Sequence, residues 1–98
     1  MPRPKYNPHP DANQPQLIDD LLKAGFVVID CSRWCDVFDL LVYGYDAVRQ
    51  VNRWQPVEVK TEEGELTEHQ QAFMSAYPGA ILVARCAEDV LGSYGRMG

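Results

Sequence analysis

Phe38-Asp-Leu-Leu-Val-Tyr43 and Trp54-Gln-Pro-Val-Glu-Val-Lys60 are two apolar runs that carry charge at positions a strand would bury. Alternation along a strand sends successive side chains to opposite faces, so Glu58 and Lys60 point one way and Val59 points into the core. Asp39 lies between Phe38 and Leu40. A carboxylate in such a place is costly to desolvate unless it is paired or bound to a metal. An aspartate, followed on the next strand by Glu-x-Lys, supplies the groups that metal-dependent phosphodiester hydrolysis needs. Two carboxylates hold a hard divalent cation through oxygen, and an ammonium beside them orients water or offsets developing charge. The same residues have a reading without catalysis, as an exposed strand face or a salt bridge between Asp39 and Lys60.

Outward from this pair the chain reads as alternating elements. Residues 1–12 hold four prolines and no apolar period, which predicts an extended N-terminal arm. A helix follows from near Asn13, with Asn13 or Gln14 as cap, Pro15 in the first turn and Leu17, Ile18, Leu21 and Leu22 as its apolar stripe. Gly25 stops it. Phe26–Asp30 is a strand, Cys31–Val37 a loop and Phe38–Tyr43 a second strand. Gly44 is expected to open a turn, with Tyr45–Asn52 extending the hairpin. Trp54–Lys60 is the third strand, its pairing limited by Pro56. Thr67 begins a second helix as part of a capping box with Gln70, and Ala72, Phe73, Ala76 and Tyr77 supply its apolar contacts. Ala80–Arg85 is a fourth strand and Ala87–Leu91 a short closing helix. The order α-β-β-β-α-β-α, without repeats, predicts one α/β domain over residues 13–98. Its mixed β-sheet has about four strands flanked by helices.

At 98 residues there is material for a single core. No run approaches the roughly 18 apolar residues of a membrane span. The N-terminus lacks an apolar signal core, so the expected setting is the cytoplasm, with no membrane contact. Cys31, Cys35 and Cys86 do not have zinc-site spacing and are expected to be reduced and structural. A formal net charge of -5 argues against a protein that coats nucleic acid generally, but metal-binding carboxylates would contribute to that charge. The cations in reach of a phosphate backbone are Arg3 and Lys5 in the arm, Arg33, Arg49 and Arg53, and Arg85 and Arg96 late in the chain. Each is equally well read as a solubilising charge. Trp34 and Trp54 suit packing or stacking on bases. His9 and His69 have no partners at metal-ligand spacing.

Taken in order, several segments resemble the PD-(D/E)xK nucleases of restriction-endonuclease-like fold, above all the small VRR-NUC-type proteins often encoded by phages. They are Asp11-Ala-Asn-Gln14, Gly25, Asp30-Cys-Ser-Arg33, Phe38-Asp39-Leu-Leu-Val42, Glu58-Val-Lys60, Gly64-Glu-Leu-Thr67 with Gln70, and Ile81-Leu-Val-Ala-Arg85. The likeness spans about residues 11–92. It implies that Asp39 and Glu58, with the Val59 carbonyl, bind Mg²⁺ or Mn²⁺. Lys60 would be the catalytic lysine, with Gln70 near the site and Asn13 and Gln14 behind it. The cutting of branched DNA (a Holliday junction or flap) by a homodimer would be the activity, with Trp34, Phe38 and Tyr43 as candidate interface residues. Two departures stand out. Phe38 replaces the proline before the motif aspartate, and Asn13, Gln14 and Gln16 occupy the first helix where many relatives have a glutamate. The second departure motivates an alternative: a nuclease-fold module that binds nucleic acid or protein without cutting. A third reading, a small acidic inhibitor of a host factor, leaves Asp39, Glu58 and Lys60 unexplained.

Overall fold

Ten residues, Gln14–Lys23, form the first helix, α1, with Pro15 in its first turn. Leu17 and Leu21 fall on one side at helical spacing and are buried. The stop is a Schellman motif. Gly25 takes a left-handed φ of 92°, its N–H donates to the Leu22 carbonyl, and the Phe26 N–H donates to the Leu21 carbonyl. Leu21 and Phe26 both enter the core, so the same turn that ends α1 aims the chain into the first strand. The computed structural model describes residues 13–61 and 63–96. The expected arm, with Arg3, Lys5 and His9, lies outside the described residues.

The strands are β1 (Val27–Asp30), β2 (Leu40–Asp46), β3 (Val51–Val59) and β4 (Leu82–Ala84); α2 (Glu68–Ala76) joins the last two and α3 (Ala87–Ser93) follows β4. They form one mixed sheet in the order β1-β2-β3-β4. β1, β2 and β3 run antiparallel to their neighbours, and β4 lies parallel to β3. The fold is therefore α/β, a four-stranded mixed sheet flanked by three helices, as the pattern of elements predicts. Leu40 and Val42 of β2, Val57 and Val59 of β3 and Ala84 of β4 share one face. Against it pack Leu17 and Leu21 of α1 and Ala87, Val90 and Leu91 of α3. Tyr94 closes this core, edge-on to Phe26 at 4.9 Å, with its hydroxyl donating to the Arg53 carbonyl at 2.9 Å.

Four expectations need correction. Gly44 does not open a turn but sits within β2, which runs on to Asp46; the turn is at Ala47–Gln50, where Gln50 has a φ of 62°. The glycine is there for contact, since a Cβ at Gly44 would come within 2.4 Å of the Phe26 ring. β3 accordingly begins at Val51 rather than Trp54. β4 is confined to three residues and pairs with β3 only from Val57, the residue after Pro56. Finally, α2 does not bury an apolar stripe. Ala72, Ala76 and Tyr77 are exposed, Phe73 is half-buried against Tyr77, and the buried residue of this helix among those described is Gln70.

Among the described residues, no helix is long and apolar enough to cross a membrane.

Candidate functional site

Asp39 stands one residue before β2, where the chain bends. Its backbone is fastened on both sides: its N–H donates to the Val57 carbonyl at 2.9 Å, and its carbonyl accepts from the Cys31 N–H at 2.7 Å. Its carboxylate Oδ2 accepts the Val59 N–H at 2.9 Å, a bond that is itself buried. The aspartate is thus held against β3 at the residue that separates Glu58 from Lys60.

Glu58 and Lys60 share one side of β3, as alternation requires. The Lys60 ammonium lies 3.3 Å from Glu58 Oε2. Val57 and Val59, on the other side, are fully buried in the core, which fixes the orientation of Glu58 between them. Asp39 is 6% and Glu58 1% exposed. Burying two carboxylates so thoroughly is costly unless each is paired or bound. Lys60 thus makes an ion pair with Glu58. Gly64 packs close to the lysine. A Cβ there would approach Lys60 Cδ at 3.3 Å, so the bare backbone leaves room for the side chain.

The first helix meets this strand end through Asn13. Its side-chain amide donates to the carbonyls of Lys60 at 3.1 Å and Arg85 at 2.7 Å. It makes no side-chain cap, contrary to expectation: its backbone is helical (φ -86°, ψ -6°) rather than extended, and its NH2 group turns the side chain toward those two carbonyls. Asn13 Oδ1 is buried and has no hydrogen-bond partner among the described residues. Gln14 begins α1, is buried, and reaches Asp30 Oδ2 at 3.5 Å. The capping box at α2 is complete: Thr67 Oγ1 accepts from the Gln70 N–H at 3.1 Å, and Gln70 Oε1 accepts from the Thr67 N–H at 2.9 Å. The Gln70 amide also points toward the Val37 carbonyl at 3.5 Å, tying α2 to the loop that precedes Asp39.

A second tie between that loop and α2 was not legible in the spacing: His69 Nδ1 lies 3.1 Å from Asp36 Oδ2. The two residues are 33 positions apart, so no local motif signals them. Of the expected phosphate contacts, Arg33 is exposed on the loop before Asp39. Arg85 is exposed at the end of β4, where the Lys60 N–H pairs with the Ala84 carbonyl. Arg53 is placed differently. Its guanidinium is tied to Asp46 at 2.6 Å, to Gln55 at 2.8 Å and to the Ser93 carbonyl at 3.0 Å, and it lies 4.0 Å above the Tyr94 ring. The fold alone accounts for it.

The groups that would hold a metal here are hard oxygens: the carboxylates of Asp39 and Glu58 and the carbonyl of Val59. Among the described residues, no group of three or more His, Cys, Asp or Glu side chains is placed to hold a metal ion. Two carboxylates without a full protein cage fit Mg²⁺, which keeps much of its water and takes one or two carboxylates from a protein. Cys31, Cys35 and Cys86 are free thiols, with Cys31 buried, Cys35 half-buried and Cys86 exposed.

No family model, curated protein or solved structure matches the chain.

Proposed function

We propose that this chain is a divalent-metal-dependent nuclease of the PD-(D/E)xK kind, with a restriction-endonuclease-like core, that hydrolyses phosphodiester bonds in branched or flapped DNA. The observation that carries the reading is the strand end itself. Glu58 and Lys60 project from one side of β3 with 3.3 Å between their charged groups, and the buried Asp39 carboxylate is fastened to the amide between them. A sheet that needed only stability would gain more from apolar residues at such buried positions.

Asp39, Glu58 and the Val59 carbonyl would hold Mg²⁺ or Mn²⁺. When bound, such an ion polarises the phosphate and lowers the pKa of a coordinated water. The remaining work belongs to the chain. The Val59 N–H orients the Asp39 carboxylate, and core packing of Val57 and Val59 fixes Glu58. The Lys60 ammonium orients the attacking water and offsets charge on the phosphoryl oxygens in an in-line displacement. Asn13 restrains the Lys60 backbone from the far side of the sheet. Arg33 and Arg85, both exposed and each joined to an element of the site, are the phosphate contacts this reading favours.

A second reading has its own observation. The amides of Asn13 and Gln14, which stand where a first-helix acid would add charge, are both engaged inside the protein. A module of this fold that binds without cutting would have the same architecture.

Incubation with labelled linear duplex, flap and four-way-junction DNA in Mg²⁺, Mn²⁺ or EDTA separates the two. Metal-dependent cleavage that is lost in a Glu58→Ala, Lys60→Ala double variant is the expected result. Binding without cleavage in both proteins would overturn the nuclease in favour of the module.

A further inference from the structure

One face of the sheet is covered by α1 and α3, and much of the other is open. Residues directly opposite in the ladder share a face, so Tyr45 stands beside Asn52, and Tyr43 between Val27 and Trp54, on the open side. The Tyr43 and Trp54 ring centroids are 4.7 Å apart. Trp54 is 48% and Tyr45 47% exposed, so neither ring is used by the core. Toward the turn end, Gly25, Val27, Tyr43, Tyr45, Asn52 and Arg96 line an open cleft of about 600 Å³. The Arg96 guanidinium donates to the Ala24 carbonyl at 2.8 Å and lies 4.7 Å above the Phe26 ring, which sets it at the border of this cleft. In the other direction the same side of the chain runs from Trp54 through Pro56 to Glu58 and then Lys60.

We propose that this face holds a single-stranded segment of nucleic acid, its bases laid on the sheet and its backbone outward, running from the Arg96 cleft to the strand end that carries Glu58 and Lys60. The chemistry matches along the whole row. Tyr43, Tyr45 and Trp54 offer ring faces to flat, uncharged bases, a form of binding that tolerates any sequence. Asn52 exposes an amide that both donates and accepts, as base edges do. Arg96 and Lys60 put a cation at each end, and the planar guanidinium fork suits phosphate oxygens. Between them Val27, Tyr43, Tyr45, Asn52 and Trp54 carry no carboxylate to repel a backbone, although the chain as a whole has a formal net charge of -5. A duplex keeps its bases stacked on one another and would bring phosphates, not ring faces, to these aromatics; an unpaired strand can splay its bases onto them.

The length is consistent with this. From Asn52 to Glu58 the strand advances about 20 Å, at about 3.3 Å per residue. That accommodates about four nucleotides, the lower end of the site sizes of aromatic surfaces that track single strands. The binding itself needs no cleavage. Only the direction of the strand, toward Lys60, rests on the nuclease reading, and on that reading the unpaired arm of a flap is the segment held.

Fluorescence of the full chain in a Trp34→Phe background, in EDTA, reads this face through Trp54 without cutting. An oligothymidylate of about 16 nucleotides should quench that emission at micromolar concentration, and a blunt duplex of the same length should need at least about tenfold more. Tyr45→Ala should weaken single-strand binding by about tenfold through the loss of one stacked base. Arg96→Gln should weaken it and reduce the slope of log affinity against log salt by about 0.7, the share of one phosphate contact. Val27→Glu places a carboxylate in the cleft from an exposed edge-strand position, so it tests the same surface should Arg96→Gln fail to fold; the thermal midpoint of each variant checks this. Duplex quenching equal to that by the single strand, or affinity indifferent to Tyr45→Ala and Val27→Glu, would overturn the inference. So would Trp54 emission that changes with protein concentration alone, which would assign the face to a second copy of the chain. Absence of quenching would overturn it even in a protein that cuts DNA in Mg²⁺, whereas quenching in a protein that never cuts would uphold it and set aside the nuclease alone.

Discussion

At the turn end of the β2–β3 hairpin, Asp46 is saturated: its carboxylate accepts the backbone N–H groups of Val48 and Arg49 and the guanidinium groups of Arg49 and Arg53, all within 2.8 Å. At the other end, Asp39 accepts the Val59 strand amide at 2.9 Å and Glu58 sits beside an ammonium at 3.3 Å. The carboxylates are similarly hidden from solvent, yet their surroundings differ in kind. Asp46 is boxed in by donors from its own turn and from Arg53 of β3, and Arg53 in turn holds α3 through Ser93 and Tyr94. Asp39 and Glu58 come from two strands and meet a lysine whose long stem leaves its head adjustable. The first arrangement secures a turn. The second brings carboxylate oxygens and an ammonium together at one strand end. Burial of an acid therefore does not identify a site; the source and geometry of its donors do.

The sharpest way to break this comparison is Glu58→Gln. If the Glu58 end is catalytic, Mg²⁺-dependent cleavage should fall on the order of 10³-fold, while the thermal midpoint stays the same or rises. A large loss of stability instead would make Glu58 a second Asp46. The converse change, Asp46→Asn, should lower the thermal midpoint by on the order of 10 °C and leave the cleavage rate per folded molecule intact.

Acid should sharpen the same contrast. The Arg49 N–H, with the Arg53 guanidinium next in weight, holds the Asp46 carboxyl far below the usual carboxylate range. In the unfolded chain it titrates near about 4. Its contribution is thus complete above that pH and is lost as pH falls through the lower, folded value. Urea unfolding from pH 7 down to pH 3 should show an acid-side decline that is shallower in Asp46→Asn than in the wild type.

Between the two ends, Gly44→Ala should cost about 1–3 kcal/mol, because the added methyl displaces the Phe26 ring from a packed core. The smallest effect belongs to Thr67→Ala, about 1 kcal/mol from the lost cap, measured by chemical denaturation. Because Gln70 is shared between that cap and the loop before Asp39, the cleavage rate should fall more than stability does.

How legible this was in the sequence depends on the range of the interaction. The order of elements, the Gly25 stop, the Thr67–Gln70 box and the common side of Glu58 and Lys60 are local matters of spacing, and the pattern of residues carries them. Gly44 misleads because glycine marks a turn and a close contact equally well, and only the position of Phe26, 18 residues earlier, separates the two. Asn13 misleads in the same way. The residue type that best caps a helix is also one that can bridge two carbonyls, and its partners are 47 and 72 positions away. Arg53 reads as a surface cation until Asp46, Ser93 and Tyr94 are brought around it. The apolar residues of α2 predict a buried stripe, but the helix docks through the amide of Gln70.

That reach of Asn13 also sets an order of events during synthesis. The amide that steadies Lys60 does so together with Arg85, so the first helix cannot take up its final seat until the fourth strand has been made. Contacts of such long sequence separation form late in folding. Until then Asn13 does not restrain the Lys60 backbone. On the nuclease reading, the site would be completed only once Arg85 has been added.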